Sequence, residues 1–290
     1  MNKNKIQKDL KKLILKNLKI LGIKPHDHLY LSVNVGSLFL NYVNEPDIID
    51  LINKNKIFFT KYILRILKGY ISQSGSLICP AFSYATAKSM FFDKKKTKSE
   101  LGIFSQIFLE DKSSLRSDHS MHSLSSIGKF GEVIKQGHGI FSFGINSPFG
   151  SFLKYKVKFV NIGVPFWLNC TYIHHVQHLN GCNFRFYKSF KVKKKIGNKI
   201  KNSYDYNFIR FKILSSQSIE TFQIENILSK KKLIKYIKKP VFFSVVDCDS
   251  VYNETKILLR KNPSAFIKGS KKVIFNDNFK DKNLIRLKVV

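Results

Sequence analysis

Ile6, Leu10, Leu13, Ile14, Leu18 and Leu21 recur every three or four residues with lysines between them. That spacing is one apolar stripe on an α-helix. Gly22 ends it, so a Lys-faced helix packed on the core is expected at the start of the chain. Leu29 to Val35 (Leu-Tyr-Leu-Ser-Val-Asn-Val) reads as a buried strand, and Gly36 opens a loop. Pro46 to Ile52 is helical in pattern, with Glu45 and Asp47 favourably placed at its positive end. Tyr62 to Gly69 continues as helix, and Gly75 to Pro80 is a turn followed by a short strand.

Phe82 to Gly102 has no clean period, the character of a binding loop. Arg116 to Ser123 (Arg-Ser-Asp-His-Ser-Met-His-Ser) is denser still in polar groups. Phe143 to Gly150 is a turn in which Asn146 or Ser147 can cap the next element. Val157, Phe159, Val160 and Ile162 form a strand-like run, after which a turn with Pro165 and Asn169 leads to Thr171. Asn183 to Phe190 alternates aromatic and basic residues, a strand signal; Lys191 to Lys201 reads as an exposed turn around Gly197, and Phe208 to Leu214 as a strand. Ser229 to Lys239 reads as a Lys-rich helix, Val241 to Val246 as a buried run, and Ser250 to Leu259 as a helix stopped before Pro263. Alternating strands and helices predict a layered α/β fold. With no repeat, low-complexity linker or composition break, residues 1–290 are expected to form a single domain.

Composition changes the picture in one respect. With 43% hydrophobic and 13% aromatic residues the chain can build a packed core, which excludes a disordered protein. The formal net charge of +32 is extreme and draws in anions such as phosphates, nucleotides, nucleic acid or acidic membrane. A Lys-, Asn- and Ile-rich chain is also the drift of an AT-rich genome, so charge alone names no ligand. Cys79, Cys170, Cys182 and Cys248 form no CxxC pair, which argues against both a zinc knuckle and a disulfide framework. Lysines interrupt Met1 to Ile23, so no signal peptide is expected, and no apolar run reaches membrane-spanning length. A cytoplasmic protein with reduced thiols is the expectation.

Thr171 to Gln177 (Thr-Tyr-Ile-His-His-Val-Gln) is the stretch richest in candidate chemistry. Thr171 is a good helix N-cap, which puts His174 in the first helical turn. There the helix dipole disfavours imidazolium and favours a neutral ring, as a general base near pH 7 requires. Gln177, three residues on, shares that helix face and can hold the ring. The bland alternative is a histidine in an ordinary core. A metal site would use His174 with His178, or His119 with His122, but the glutamate of a zincin motif is replaced by His175. Cys170 beside His174 suggests a thiol nucleophile, although a free Cys is more often a small buried hydrophobe. The lysines are dispersed and no RRM, KH or helix-turn-helix signature is present, which argues against specific nucleic-acid binding. No P-loop or GxGxxG occurs; Arg116 to Ser120 and Phe82-Ser83-Tyr84 offer hydroxyls, N–H groups and one Arg to a phosphate instead.

Together these pieces resemble the aminoglycoside 3-N-acetyltransferase family, which includes relatives acting on amino sugars in surface-polysaccharide pathways. Gly75 to Ser83 is similar to its G-T-L-V-M-P-T-F-S strand. Phe92-Asp93, Thr97, Ser99 and Gly102 are similar to F-D-P…T-P-S-x-M-G, Arg116 to Ser123 to R-S-x-H-P-x-H-S, and Phe143 to Pro148 to F-G-x-x-S-P. Asn161 to Val164 with Thr171 to Gln177 is similar to L-L-G-V…T-x-x-H-x-x-E. Arg185, Tyr187 and Lys188 fall in its Y-R-x-x-K. The likeness covers about residues 10–190 and is looser over 191–290. It implies a central mixed sheet flanked by helices and an acetyl-CoA-dependent N-acetyltransferase, without metal, acting on a small-molecule amino sugar. It implies His174 as base with Gln177 and Thr171 beside it. It places CoA along Ser32, Asn34 and Val35 and along Arg116, Ser117, His119, His122 and Ser123. The acceptor falls near Phe82, Tyr84 and Asp93. Two departures stand out: the family's H-S-S reads Ser32-Val33-Asn34, and its Glu reads Gln177, with Asp93 or Glu225 as substitute carboxylates. The net charge fits a cationic aminoglycoside poorly and a nucleotide- or lipid-linked amino sugar better. Antibiotic resistance and a catalytically weakened CoA-binding relative are the alternatives. Oligomeric state, including a homodimer, is left open.

Overall fold

A computed structural model describes residues 3–136, 139–210, 221–267 and 284–285. Strands and α-helices follow in the order α1 (Lys3–Ile20), β1 (His28–Val33), α2 (Pro46–Lys54), α3 (Lys56–Tyr70), β2 (Ser76–Pro80), α4 (Thr86–Ser89), β3 (Phe91–Asp93), α5 (Ile103–Glu110), β4 (Leu115–Arg116), β5 (Leu124–Gly128), α6 (Gly131–Lys135), β6 (Lys158–Ile162), α7 (Phe166–Asn169), α8 (Tyr172–Asn180), β7 (Arg185–Ile196), β8 (Lys199–Arg210), α9 (Phe222–Lys230), β9 (Ile234–Ile237), β10 (Phe243–Asp247), α10 (Cys248–Lys261) and β11 (Leu284–Ile285). Short 3-10 turns occupy Gly36–Tyr42 and Pro148–Ser151.

Seven strands form the central sheet in the order β4-β5-β2-β1-β6-β10-β9. The middle three, β2-β1-β6, are parallel, and every other pairing is antiparallel. Successive side chains of a strand point to opposite faces, and here that alternation sorts two cores. Leu29, Leu31, Leu77, Cys79, Val160, Ile162, Phe243 and Val245 face one side, with Ile6, Leu10, Ile14 and Leu18 of α1 and Phe59, Ile63 and Leu67 of α3. Tyr30, Ile78, Phe159 and Val246 face the other, with Tyr172, Ile173 and Val176 of α8 and Val251 and Leu259 of α10. The layered α/β architecture with a central mixed sheet and flanking helices is the one expected.

A second sheet was not anticipated. β7 pairs with β8 along its whole length and with β3 and β11 over shorter stretches. The segment 191–201 is therefore mostly strand, not the exposed turn its lysines suggest; only Gly197 and Asn198 make the turn. The reason is partly inside: Val192 is buried, and the Lys194 ammonium lies 2.5 Å from the fully buried Asp205 carboxylate. Ser229 to Lys239 is not a continuous helix either. Lys232 adopts a left-handed φ of 56° after α9, and Ile234–Ile237 pairs with β10 as an edge strand. Lys235 on that strand suits an unpaired sheet edge. The strand expected over Phe208 to Leu214 is seen to Arg210; 211–214 lie outside the described residues.

Gly163, just beyond β6, has φ 72°, and a Cβ there would lie 2.4 Å from Ser37 Cβ and 3.0 Å from Asn34 O. Its carbonyl accepts a hydrogen bond from Ser37 Oγ at 3.0 Å. Gly163→Ala is expected to lower stability by about 2–4 kcal/mol, strain and overpacking together, read as the urea-unfolding midpoint. A shift under about 0.5 kcal/mol would mean that the β1 exit loop gives way freely.

Candidate active site

β2 and β6 flank β1 on opposite sides, so their loops diverge at the carboxyl ends of the parallel strands and open a crevice between them. Two cavities occupy it. One, of about 340 Å³, is lined by Ser32, Asn34, Val35 and Gly36 at the exit of β1, Cys79 and Pro80 of β2, Leu101 to Ser105, Lys56 and Val164. The other, of about 450 Å³, is lined by Tyr84, His122, Trp167 to Thr171, His174, Arg185, Asn207, Phe208 and Arg210. Asn169 lines both.

His174 is the third residue of α8 and half-buried in the wall of the second cavity. Its Nδ1 lies 2.9 Å from Gln177 Oε1, and its Nε2 lies 3.4 Å from Arg185 Nη2. A guanidinium can only donate, so Nε2 must present its lone pair. In the neutral ring the proton then sits on Nδ1, where Gln177 Oε1 accepts it. Burial first, then the Arg185 charge, hold His174 well below the ordinary imidazole range, against the opposing hydrogen bond to Gln177 Oε1. The ring is therefore neutral at physiological pH, with its basic atom beside Arg185, and both residues line the cavity. Thr171 precedes α8 as expected, but its hydroxyl makes no cap hydrogen bond; it lines the cavity instead.

The remaining sequence candidates divide by position. Ser32, Asn34 and Val35 line the first cavity. Tyr84 and His122 line the second, with ring centroids 5.5 Å apart, and Phe82 supports both from beneath at 6.1 and 5.0 Å. His122 is pushed down to about 3, by burial before anything else. Arg116 is turned inward: it donates to Ser123 Oγ, Thr97 O, Ala81 O and Ser83 Oγ, with its guanidinium 4.7 Å above the Phe92 ring. Ser117 Oγ accepts from Leu124 N at 2.9 Å. His119 Nδ1 accepts from the backbone N–H groups of Met121 and His122. Arg116, Ser117, His119 and Ser123 brace their own loop and do not line either cavity. Asp93 also lies outside both. It accepts from the N–H groups of Lys95 and Lys96, and Lys195 stands 3.7 Å away. Burial pushes its carboxyl up, but those donors outweigh it and hold the group below the usual carboxylate range. Glu225 accepts from Trp167 N and Tyr236 Oη and does not reach His174.

The thiol alternative loses its chemistry here, because burial pushes the Cys170 thiol far up and leaves no thiolate. Among the described residues no group of three or more His, Cys, Asp or Glu side chains converges on a metal position, and no helix is long and apolar enough to cross a membrane. Sequence reasoning missed Arg185 as a site residue, together with Trp167, Asn169, Asn207 and Arg210. A signal for the two arginines was present: a two-residue Gly197-Asn198 turn fixes the hairpin register, and counting outward from it sets Arg185 opposite Arg210.

The profile of a family described as aminoglycoside 3-N-acetyltransferase matches residues 59–239. The structure titled "AAC-IIIb binary with CoASH" superposes with a TM-score of 0.70 at 16% identity, over 87% of this chain and 96% of that one. Aminoglycoside acetyltransferase AAC(3)-Xa gives 0.70 at 12%, over 90% and 93%. The YokD protein from Bacillus subtilis gives 0.66 at 14%, over 87% and 99%. At such identities the likeness concerns the fold. No curated protein matches the sequence.

Proposed function

The chain belongs to the aminoglycoside 3-N-acetyltransferase family, and on that premise we propose that it transfers acetyl from acetyl-CoA to the amine of an amino sugar bearing an acidic group, such as a nucleotide- or lipid-linked sugar. The observation that carries this reading is the uncharged His174 ring, its lone pair held beside Arg185, in the wall of a cavity that shares Asn169 with a second one. Two cavities sharing a wall suit a ternary complex, with direct attack and no acyl-enzyme.

CoA is assigned to the cavity at the exit of β1, beside Ser32, Asn34 and Val35. Lys56, at the first turn of α3, is the one cation on that wall among the described residues and suits its phosphates. The amino sugar is assigned to the cavity of Tyr84 and His174. The Arg116–Ser123 loop then acts mainly by shaping the wall, with Met121 and His122 as its contacts. An amine arrives largely as ammonium and must lose a proton before it attacks the thioester carbon. His174 Nε2 takes that proton while Gln177 holds Nδ1–H. The new C–N bond forms, the tetrahedral oxyanion is met by backbone N–H groups with Thr171, and the C–S bond breaks. The imidazolium returns its proton to the departing thiolate, which leaves as CoA thiol, and the second proton of the attacking nitrogen passes to solvent water as the amide forms. The chemistry of the acceptor wall favours an acidic sugar over a polycationic aminoglycoside: Arg185 and Arg210 line it, and among the described residues no Asp or Glu does.

Free-thiol release with acetyl-CoA and a panel of neutral amino sugars, nucleotide-linked amino sugars and aminoglycosides tests the assignment. Turnover of aminoglycosides alone would reverse the choice of acceptor. Gln177→Glu is expected to raise the rate by about tenfold, the worth of one pKa unit of imidazolium stabilisation. It replaces an amide whose Nε2 is buried without a partner by a carboxylate facing Nδ1–H. A slower enzyme with unchanged pH dependence would count against Gln177 as the orienting group.

A further inference from the structure

The charges of the acceptor cavity do not balance. Arg185 and Arg210 are directly opposed partners in the β7–β8 ladder, where like charges repel. Arg185 is the more constrained of the two. Its guanidinium carbon lies 5.7 and 5.8 Å from the ring centroids of Phe184 and Phe208. It donates to Phe208 O at 3.2 Å and to His174 Nε2 at 3.4 Å, while its Nε is buried with no partner. A guanidinium removed from water without a carboxylate is costly to keep. An incoming oxyanion would remove that cost, since the planar fork matches phosphate and carboxylate oxygens two at a time.

We propose that Arg185 and Arg210 form an oxyanion subsite of the acceptor cavity, which takes the phosphate or carboxylate of the amino sugar and, in doing so, draws Arg185 off the His174 lone pair. This rests on the reading of that cavity as the acceptor site. In the free protein Arg185 donates to the atom that must receive the proton, and its charge opposes an imidazolium beside it. An anion seated on Arg185 satisfies the orphan donor, offsets the charge and leaves Nε2 open to the amine. Acceptor binding and base competence are thereby one event, and an amine without an anion meets a masked base.

The test compares glucosamine, its 6-phosphate and its 6-carboxylate as acceptors, by thiol release. The wild type is expected to favour one anionic form over the neutral sugar by about tenfold or more in kcat/KM, and which form wins identifies the source of the oxyanion. Arg210 is exposed, so Arg210→Gln should fold; it is expected to collapse that preference through KM. Inorganic phosphate should compete with the anionic acceptor and stimulate transfer to glucosamine by filling the empty subsite. Equal kcat/KM for all three acceptors, untouched by Arg210→Gln, would overturn the subsite and leave acetyl transfer standing. A second readout needs no turnover: Trp167, the single tryptophan of the chain, lines this cavity. Its fluorescence should respond to inorganic phosphate in the wild type and not in Arg210→Gln. That response without transfer to any amine would sink the function and keep the subsite.

Discussion

His174→Ala is expected to lower kcat/KM for acetyl transfer by about 10²–10⁴-fold, the range a positioned general base contributes. Affinity for CoA should be retained, because His174 lines only the second of the two cavities. The direction follows from the fixed tautomer. Gln177 on Nδ1 and the obligatory donor Arg185 on Nε2 leave one acceptor atom, beside a residue that lines the same cavity. Removal leaves the ammonium to lose its proton to water. His175, next in sequence, differs in kind. Its Nδ1 accepts from Gly144 N at 3.2 Å and its ring stacks on Tyr172, so its loss should act on stability. Thiol release from His174→Ala at a rate comparable to wild type, with CoA bound normally by calorimetry, would end the assignment of the base.

The second large effect is an unusually early acid transition. Burial is the first cause that lowers His119 to about 4 and His122 and His175 to about 3, and it lowers His174 in the same direction. In the unfolded chain each titrates near 6.5. Between that value and the folded ones the unfolded state holds more protons, so stability falls as pH falls. His119 and His175 lie in the core, 2% exposed, and each contributes about 1.4 kcal/mol per pH unit below 6.5. His122 and His174 border the cavity and add to this, giving a slope of about 3–5 kcal/mol per unit. Against a typical total of roughly 5–15 kcal/mol, unfolding should begin above the carboxylate range, between about pH 4 and 6. Urea midpoints at pH 7.5 and 5.5 measure it, and a flat profile down to pH 4.5 would refute it. Loss of activity in acid should then track unfolding and not protonation of the base.

Local order explains what could be read in advance. The stripe from Ile6 to Leu21 and the runs of β1, β2 and β6 were legible because their periods match the faces they bury. His174 and Gln177 were legible as a pair because three residues on a helix bring them onto one side. Hidden features depend on partners distant in sequence. Lys194 inside a strand makes sense only with Asp205 opposite it, and Ile234–Ile237 becomes a strand only because β10 offers an edge. Arg116 looked like a free cation in a polar loop, yet four acceptors from three segments surround it. The contact of Arg185 with His174 joins a strand to a helix, and no spacing rule announces it.

Asn169 lines both chambers, and the rest of their walls are built from different residues. With CoA assigned to one and the amino sugar to the other, random-order addition is the expected result. Double-reciprocal lines should intersect, and either product should inhibit in competition with its own precursor. On the proposed direct attack, labelled CoA should not exchange into acetyl-CoA until an acceptor is present.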